Sequence, residues 1–116
     1  GETNTLSYAP RGLLLCLGGD QEGDLNAQLA RVRATGNTPV MLQDKPLAAA
    51  LEAPALNGVV ADGKMRSLAA ALLAQRSGAI IPLLSASDAS ERFWLERVVT
   101  IDTTAAGGNA SLLAQI

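Results

Sequence analysis

The chain contains no histidine. That removes the commonest general acid–base group and the commonest transition-metal ligand from its chemistry. Cysteine occurs once, as Cys16. An intramolecular disulfide framework is therefore excluded, and the expected setting is the reducing cytoplasm. Only three residues are aromatic, Tyr8, Phe93 and Trp94, so a core must be assembled mainly from leucine, valine, isoleucine and alanine on closely approaching elements. Long apolar runs are missing too: Leu13–Leu17 falls far short of the roughly 20 residues that span a bilayer. The polar opening, Gly1-Glu2-Thr3-Asn4-Thr5, has no secretory leader pattern. Nine basic residues are scattered among eleven acidic ones, for a net charge of −2. Without a basic stripe, this segment is expected not to bind nucleic acid.

What is present describes one domain. The 116 residues are 48% apolar, which suits a folded core and argues against disorder. Leu13-Leu14-Leu15-Cys16-Leu17, bounded by Gly12 and Gly18-Gly19, has the length of a strand buried on both faces. Asp20 to Asp24 offers N-cap chemistry to a helix whose stripe is Leu25, Leu29 and Val32. Thr38–Leu42 reads as a second strand with Pro39 near its start. A short helix opens at Lys45-Pro46, with Leu47, Ala48 and Leu51 on its apolar side, and ends at Pro54. Leu56–Ala61 is a third strand. Asp62-Gly63 leads into a helix with Met65, Leu68, Leu72 and Leu73 on its stripe and Gly78 closing it. Ala79–Leu84 is a fourth strand, which Pro82 places near a sheet edge. Glu91–Glu96 reads as a helix, and a fifth strand starts at Arg97.

Such alternation predicts an α/β fold, a three-layer Rossmann-like domain with a largely parallel sheet, because parallel neighbours need crossovers of this length. Residues 1–12 form an extended lead-in, 13–96 the α/β domain, and 97–116 a C-terminal strand and tail. In that tail, the β-branched Val98-Val99-Thr100-Ile101 precedes Thr103-Thr104-Ala105-Ala106-Gly107-Gly108-Asn109-Ala110-Ser111. None of those nine side chains can build a core. Glycine and alanine instead permit close backbone approach to a partner, as in addition of a strand to a sheet edge.

Elsewhere the chemistry is thin. Gly18-Gly19-Asp20-Gln21-Glu22-Gly23 follows the first strand, where parallel sheets bind phosphates, but its glycines lack the G-x-G-x-x-G spacing and no G-K-[ST] follows. Asp20, Glu22 and Asp24 would also repel a phosphate. Cys16 lies in an apolar run, with no histidine to activate it, and reads as a core residue. Asp62 sits at a strand's carboxyl end and reads as a helix cap. Asp88, Glu91 and Glu96 read as a solvated helix face, and Phe93-Trp94 as core. No catalytic, cofactor-binding or metal-binding residue is assigned. Two alternatives stay open: a small nucleotide-binding module using Gly18, Asp62 and Ser85, and a self-associating module whose tail pairs with that of another copy.

The tail, Arg97-Val-Val-Thr-Ile-Asp-Thr-Thr-Ala-Ala-Gly-Gly-Asn-Ala-Ser-Leu-Leu113, closely resembles the C-terminal motif of the proline utilization A family. The opening through Gly1-Glu2-Thr3-Asn4-Thr5-Leu6-Ser7-Tyr8-Ala9-Pro10-Arg11-Gly12 resembles the start of the last section of its longer members. The family consists of bacterial fusions of an FAD-dependent proline dehydrogenase with an NAD-dependent aldehyde dehydrogenase, which oxidise proline to glutamate through a channelled semialdehyde. The longer members carry an extra, non-catalytic domain related to aldehyde dehydrogenases. The resemblance implies that this segment is that domain, a lid on the channelling path that binds neither FAD nor NAD itself. It further implies that Thr103 to Ser111 dock on the aldehyde dehydrogenase module of the same chain or of a second protomer. Asp102 departs from the asparagine found there in the family. The implied parent is cytoplasmic or peripheral to the inner membrane, and its DNA-binding function, where present, belongs to a different, N-terminal domain.

Overall fold

A computed structural model describes the backbone of residues 2–102 and the side chains of residues 7–96. Its elements are β1 (Glu2–Pro10), β2 (Leu13–Cys16), α1 (Asp24–Ala34), β3 (Thr38–Met41), α2 (Leu47–Leu51), β4 (Gly58–Val60), α3 (Gly63–Leu73), β5 (Leu83–Leu84), a 3-10 turn (Ser90–Phe93) and β6 (Trp94–Asp102). Two units emerge, Pro10–Trp94 and, from the two ends, Gly1–Ala9 with Leu95–Ile116.

The larger unit holds the α/β domain. Its parallel sheet has the order β3-β2-β4-β5. Leu13 pairs with Thr38 and Leu15 with Val40 on one side of β2, while Leu14 pairs with Gly58 and Cys16 with Val60 on the other. Strand alternation then divides the apolar run. Leu14 and Cys16 join Val32, Val60, Leu84 and Phe93 in one core cluster, completed by Leu25 and Leu29 of α1. Leu15 turns the opposite way, toward Leu51, Leu56, Val59 and Ala69, beneath α2 and α3. Four of the five residues of the apolar run, Leu13–Cys16, thus form a central strand covered on both faces, as three layers require.

The smaller unit contains most of β1 and β6, which pair as a two-stranded sheet.

Several elements depart from the sequence expectation. The extended opening is paired as a strand, β1. Residues 91–96 are not a helix: Ser90–Phe93 is one 3-10 turn, and β6 starts at Trp94, three residues before Arg97. Asn37, buried after α1, explains the early stop: its amide donates to the Phe93 carbonyl at 2.9 Å and pins the chain there. The strands expected over Leu56–Ala61 and Ala79–Leu84 shrink to Gly58–Val60 and Leu83–Leu84. The latter is indeed at the sheet edge. α3 ends at Leu73, well before Gly78, and Leu68 is exposed while Ala69 takes the buried position. Pro46 is the N-cap of α2 rather than its first helical residue.

Arg76, just past α3, ties this layer together. Its guanidinium donates to the Leu51 carbonyl at 2.8 Å, the Ala53 carbonyl at 3.0 Å and the Ala79 carbonyl. One planar cation thereby satisfies carbonyls at the end of α2 and in two connecting segments.

Candidate functional site

In a parallel sheet, ligands enter beyond the carboxyl ends of the strands, where successive crossovers leave in opposite directions. Here β3 lies on one side of β2 and β4 on the other, so that point is the gap after Cys16 and Val60. Gly18, Gln28, Asp62 and Ser85 are joined there by hydrogen bonds. Gln28, on α1, is fully buried. Its side-chain oxygen accepts the Gly18 N–H at 2.8 Å. Its side-chain nitrogen donates to the Gly18 carbonyl at 3.0 Å and to Asp62 Oδ2 at 2.7 Å. The Ser85 hydroxyl donates to the other oxygen of Asp62, and the Ser85 N–H donates to Asp88 Oδ2 at 2.8 Å. Asp88 also pairs with Arg92 at 2.8 Å.

The three residues of the nucleotide alternative, Gly18, Asp62 and Ser85, are therefore brought together: the Asp62 N–H donates to the Gly18 carbonyl at 3.0 Å, and Gln28 bridges the same two residues with its side chain. Asp62 occupies the N-cap position of α3 but makes no capping bond with its side chain, a correction to its expected role. Asp20 supplies the cap instead, accepting the Lys64 N–H at 3.1 Å from across the loop. Gly63 makes this exchange feasible: its φ is +57°, and a side chain there would collide with the Asp20 carboxylate. The N-cap of α1 is Gly23, again without a side-chain bond, and Asp24 accepts the Gln21 N–H at 2.9 Å. The acidic loop thus caps α3 rather than its own helix.

Electrostatics at Asp62 follow from these contacts. Burial alone would raise its carboxyl pKa. Hydrogen bonds from Ser85, Gln28 and the Ala86 backbone, with the nearby Arg66 charge, outweigh that and hold it below its ordinary value. Because the folded-state value is depressed, the carboxylate contributes stability above its unfolded pKa of about 3.9, and that contribution fades as pH falls through the folded value. Asp62→Asn should therefore lower stability at neutral pH by about 1 kcal/mol, with the difference shrinking toward pH 3. Urea melts at the two pH values check this; a gap independent of pH would contradict it.

The remaining candidates are accounted for individually. Cys16 is buried in the α1-side cluster, and burial pushes its thiol up to about 11, so it carries its proton at neutral pH and is a poor nucleophile. Asp88, Glu91 and Glu96 do not share a helix face: Asp88 is half-buried in its turn, while Glu91 and Glu96 are exposed. Phe93 is fully buried. Trp94 is half-buried, and its indole N–H donates to the Thr35 carbonyl at 2.9 Å. Among the described residues, no group of three or more Cys, Asp or Glu is placed to hold a metal, and no helix is long and apolar enough to cross a membrane. The tail residues Thr103 to Ser111 lie outside the described residues.

Gln28 is the residue that sequence reasoning passed over. The signal is its position: it stands three residues after Leu25 and four before Val32, on the stripe that α1 buries. A polar residue in such a place needs buried partners.

Comparison with known proteins adds an independent finding. Over 97% of its length the chain is 34% identical, across 140 aligned positions, to the bifunctional protein PutA of Salmonella typhimurium. The resemblance is to a segment of PutA. The PutA of Escherichia coli strain K12 is 31% identical over the same share of the chain. This chain spans only 10% of the length of either PutA relative. No family model matches the chain, and no solved structure matches it at a significant level.

Proposed function

We propose that this chain is a non-catalytic structural module of a PutA-like bifunctional enzyme of proline catabolism. In this reading it corresponds to the C-terminal domain that serves as a lid on the channelling path and supports the aldehyde dehydrogenase module. The observation that carries the proposal is the end-to-end sequence similarity to a PutA segment, 34% over 97% of the chain. The crevice geometry supports the non-catalytic part. The N–H of Lys64 that a phosphate would seek at α3 is taken by Asp20, and both backbone groups of Gly18 are taken by Gln28. A dinucleotide would have to displace these groups and then face Asp20, Asp24 and Asp62. FAD and NAD chemistry belongs, in this proposal, to the parts of the parent outside these 116 residues.

The docking role falls to Thr103, Thr104, Ala105, Ala106, Gly107, Gly108, Asn109, Ala110 and Ser111, whose small side chains allow main-chain pairing with an aldehyde dehydrogenase module. Calorimetric titration of the 116-residue chain with NAD separates this reading from the nucleotide-binding one. The expected outcome is no saturable heat at micromolar or low millimolar ligand. Micromolar binding, with a rise in melting temperature, would overturn the non-catalytic reading and favour a site at Gly18, Asp62 and Ser85.

A further inference from the structure

On the face opposite α1, between β3 and α2, lies an open groove of about 300 Å³. Leu15 and Val40 form part of its sheet wall, and Ala50 and Ala53 part of the wall beside them. Met41 and Leu42, 47% and 38% exposed, also line it. Lys45 contributes the one charged side chain of the lining. Among the described residues Lys45 has no ion pair or hydrogen bond.

The groove runs along an edge strand, but that edge is poorly suited to pairing with another strand. The Thr38 N–H points inward, donating to the Gly12 carbonyl at 2.9 Å. Backbone groups of successive strand residues point to opposite sides, so the next residue, Pro39, faces outward and has no N–H to give. A partner here would have to be held by side chains. Apart from Gln43 and Lys45 the walls are apolar, and the sole charge is positive.

We propose that this groove binds a straight-chain aliphatic carboxylate, its hydrocarbon lying against Leu15, Val40, Leu42 and Ala53 and its head group beside Lys45. The volume is at the lower end for small-molecule pockets and has room for roughly ten non-hydrogen atoms, the size of octanoate. An alkylammonium would meet the Lys45 charge with the wrong sign. A neutral chain would gain the same apolar burial without the ion pair. This site is on the other side of the sheet from the α1 cluster and does not depend on the proposed role in proline catabolism.

Calorimetric titration of the 116-residue chain with hexanoate, octanoate and octanol at low ionic strength tests the proposal. Affinity should rise about three- to fourfold per methylene between hexanoate and octanoate. Octanol should bind about two- to fivefold more weakly than octanoate. Lys45→Gln should reduce octanoate to the level of octanol and leave octanol unchanged. Leu42→Asp, at an exposed position that the fold does not need, should weaken octanoate more than octanol. Melting curves of both variants establish that they remain folded. Absence of saturable binding by octanoate, or equal binding by the wild type and both variants, would overturn the assignment.

Discussion

Replacing Phe93 with alanine is expected to lower the unfolding free energy by about 4 kcal/mol, a large share of the 5–15 kcal/mol typical of a folded domain. Phe93 is fully buried against Leu14, Cys16, Val32, Val60 and Leu84. In a chain with three aromatic residues, nothing nearby can move in to fill the space. The Arg31 guanidinium lies 5.6 Å from the ring centroid and donates to the Asp88 carbonyl at 2.9 Å and the Ser90 hydroxyl at 3.0 Å. Loss of the ring thus also removes the surface on which the cation rests. Phe93→Leu should recover more than half of the loss. Chemical denaturation of the three proteins checks the order, and a Phe93→Ala penalty below about 1 kcal/mol would mean that the ring is not the anchor of the α1-side core.

The second large effect is expected at Gln28. Gln28→Leu keeps the size of the side chain but leaves the buried N–H of Gly18 without its partner, takes one of two donors from the Gly18 carbonyl, which keeps the Asp62 N–H at 3.0 Å, and takes one donor from Asp62. The abandoned N–H costs about 1–3 kcal/mol and the two other lost hydrogen bonds add to it, so a total near 3 kcal/mol is expected. Gln28→Glu supplies a pH signature that a packing defect would lack. It places a second carboxylate against Asp62, and that like charge raises the folded-state pKa of the new group. Its penalty is present while the group is ionised and is relieved as falling pH protonates it. Stability of Gln28→Glu relative to wild type should therefore improve between pH 7 and pH 4. A constant difference across that range would contradict the direct contact between Gln28 and Asp62.

Gln28 also shows where sequence reading reached its limit. The βα alternation, the two-faced burial of Leu13–Leu17 and the apolar identity of Cys16 follow from periodicity and composition, and each appears in the structure. Which carboxylate caps which helix does not follow, because capping by Asp20 at Lys64 joins residues far apart in the chain. Local preference places Asp62 at the cap. Tertiary contact draws its carboxylate to Gln28 and Ser85 instead. The region after Ser85 departs from its sequence pattern for a related reason. Glu91-Arg92-Phe93-Trp94 has acceptable helix composition, yet Arg11 and Asn37 hold its backbone from outside, and only one 3-10 turn forms before β6. At the crevice, Gly18, Asp62 and Ser85 could be named from their positions at strand ends, whereas the residue that links the first two lies on the buried stripe of α1.

In the proposed role, the tail makes the contact with an aldehyde dehydrogenase module. The most direct test is made in a full-length PutA-like polypeptide carrying this sequence, with Gly108→Phe compared with the parent. Two rates are followed: reduction of an artificial electron acceptor by proline, and formation of NADH from proline. A docking tail predicts that the first rate is unchanged while the second falls, because the bulky ring prevents close backbone approach next to the aldehyde-oxidising module. Equal values of both rates in the variant and the parent would contradict it.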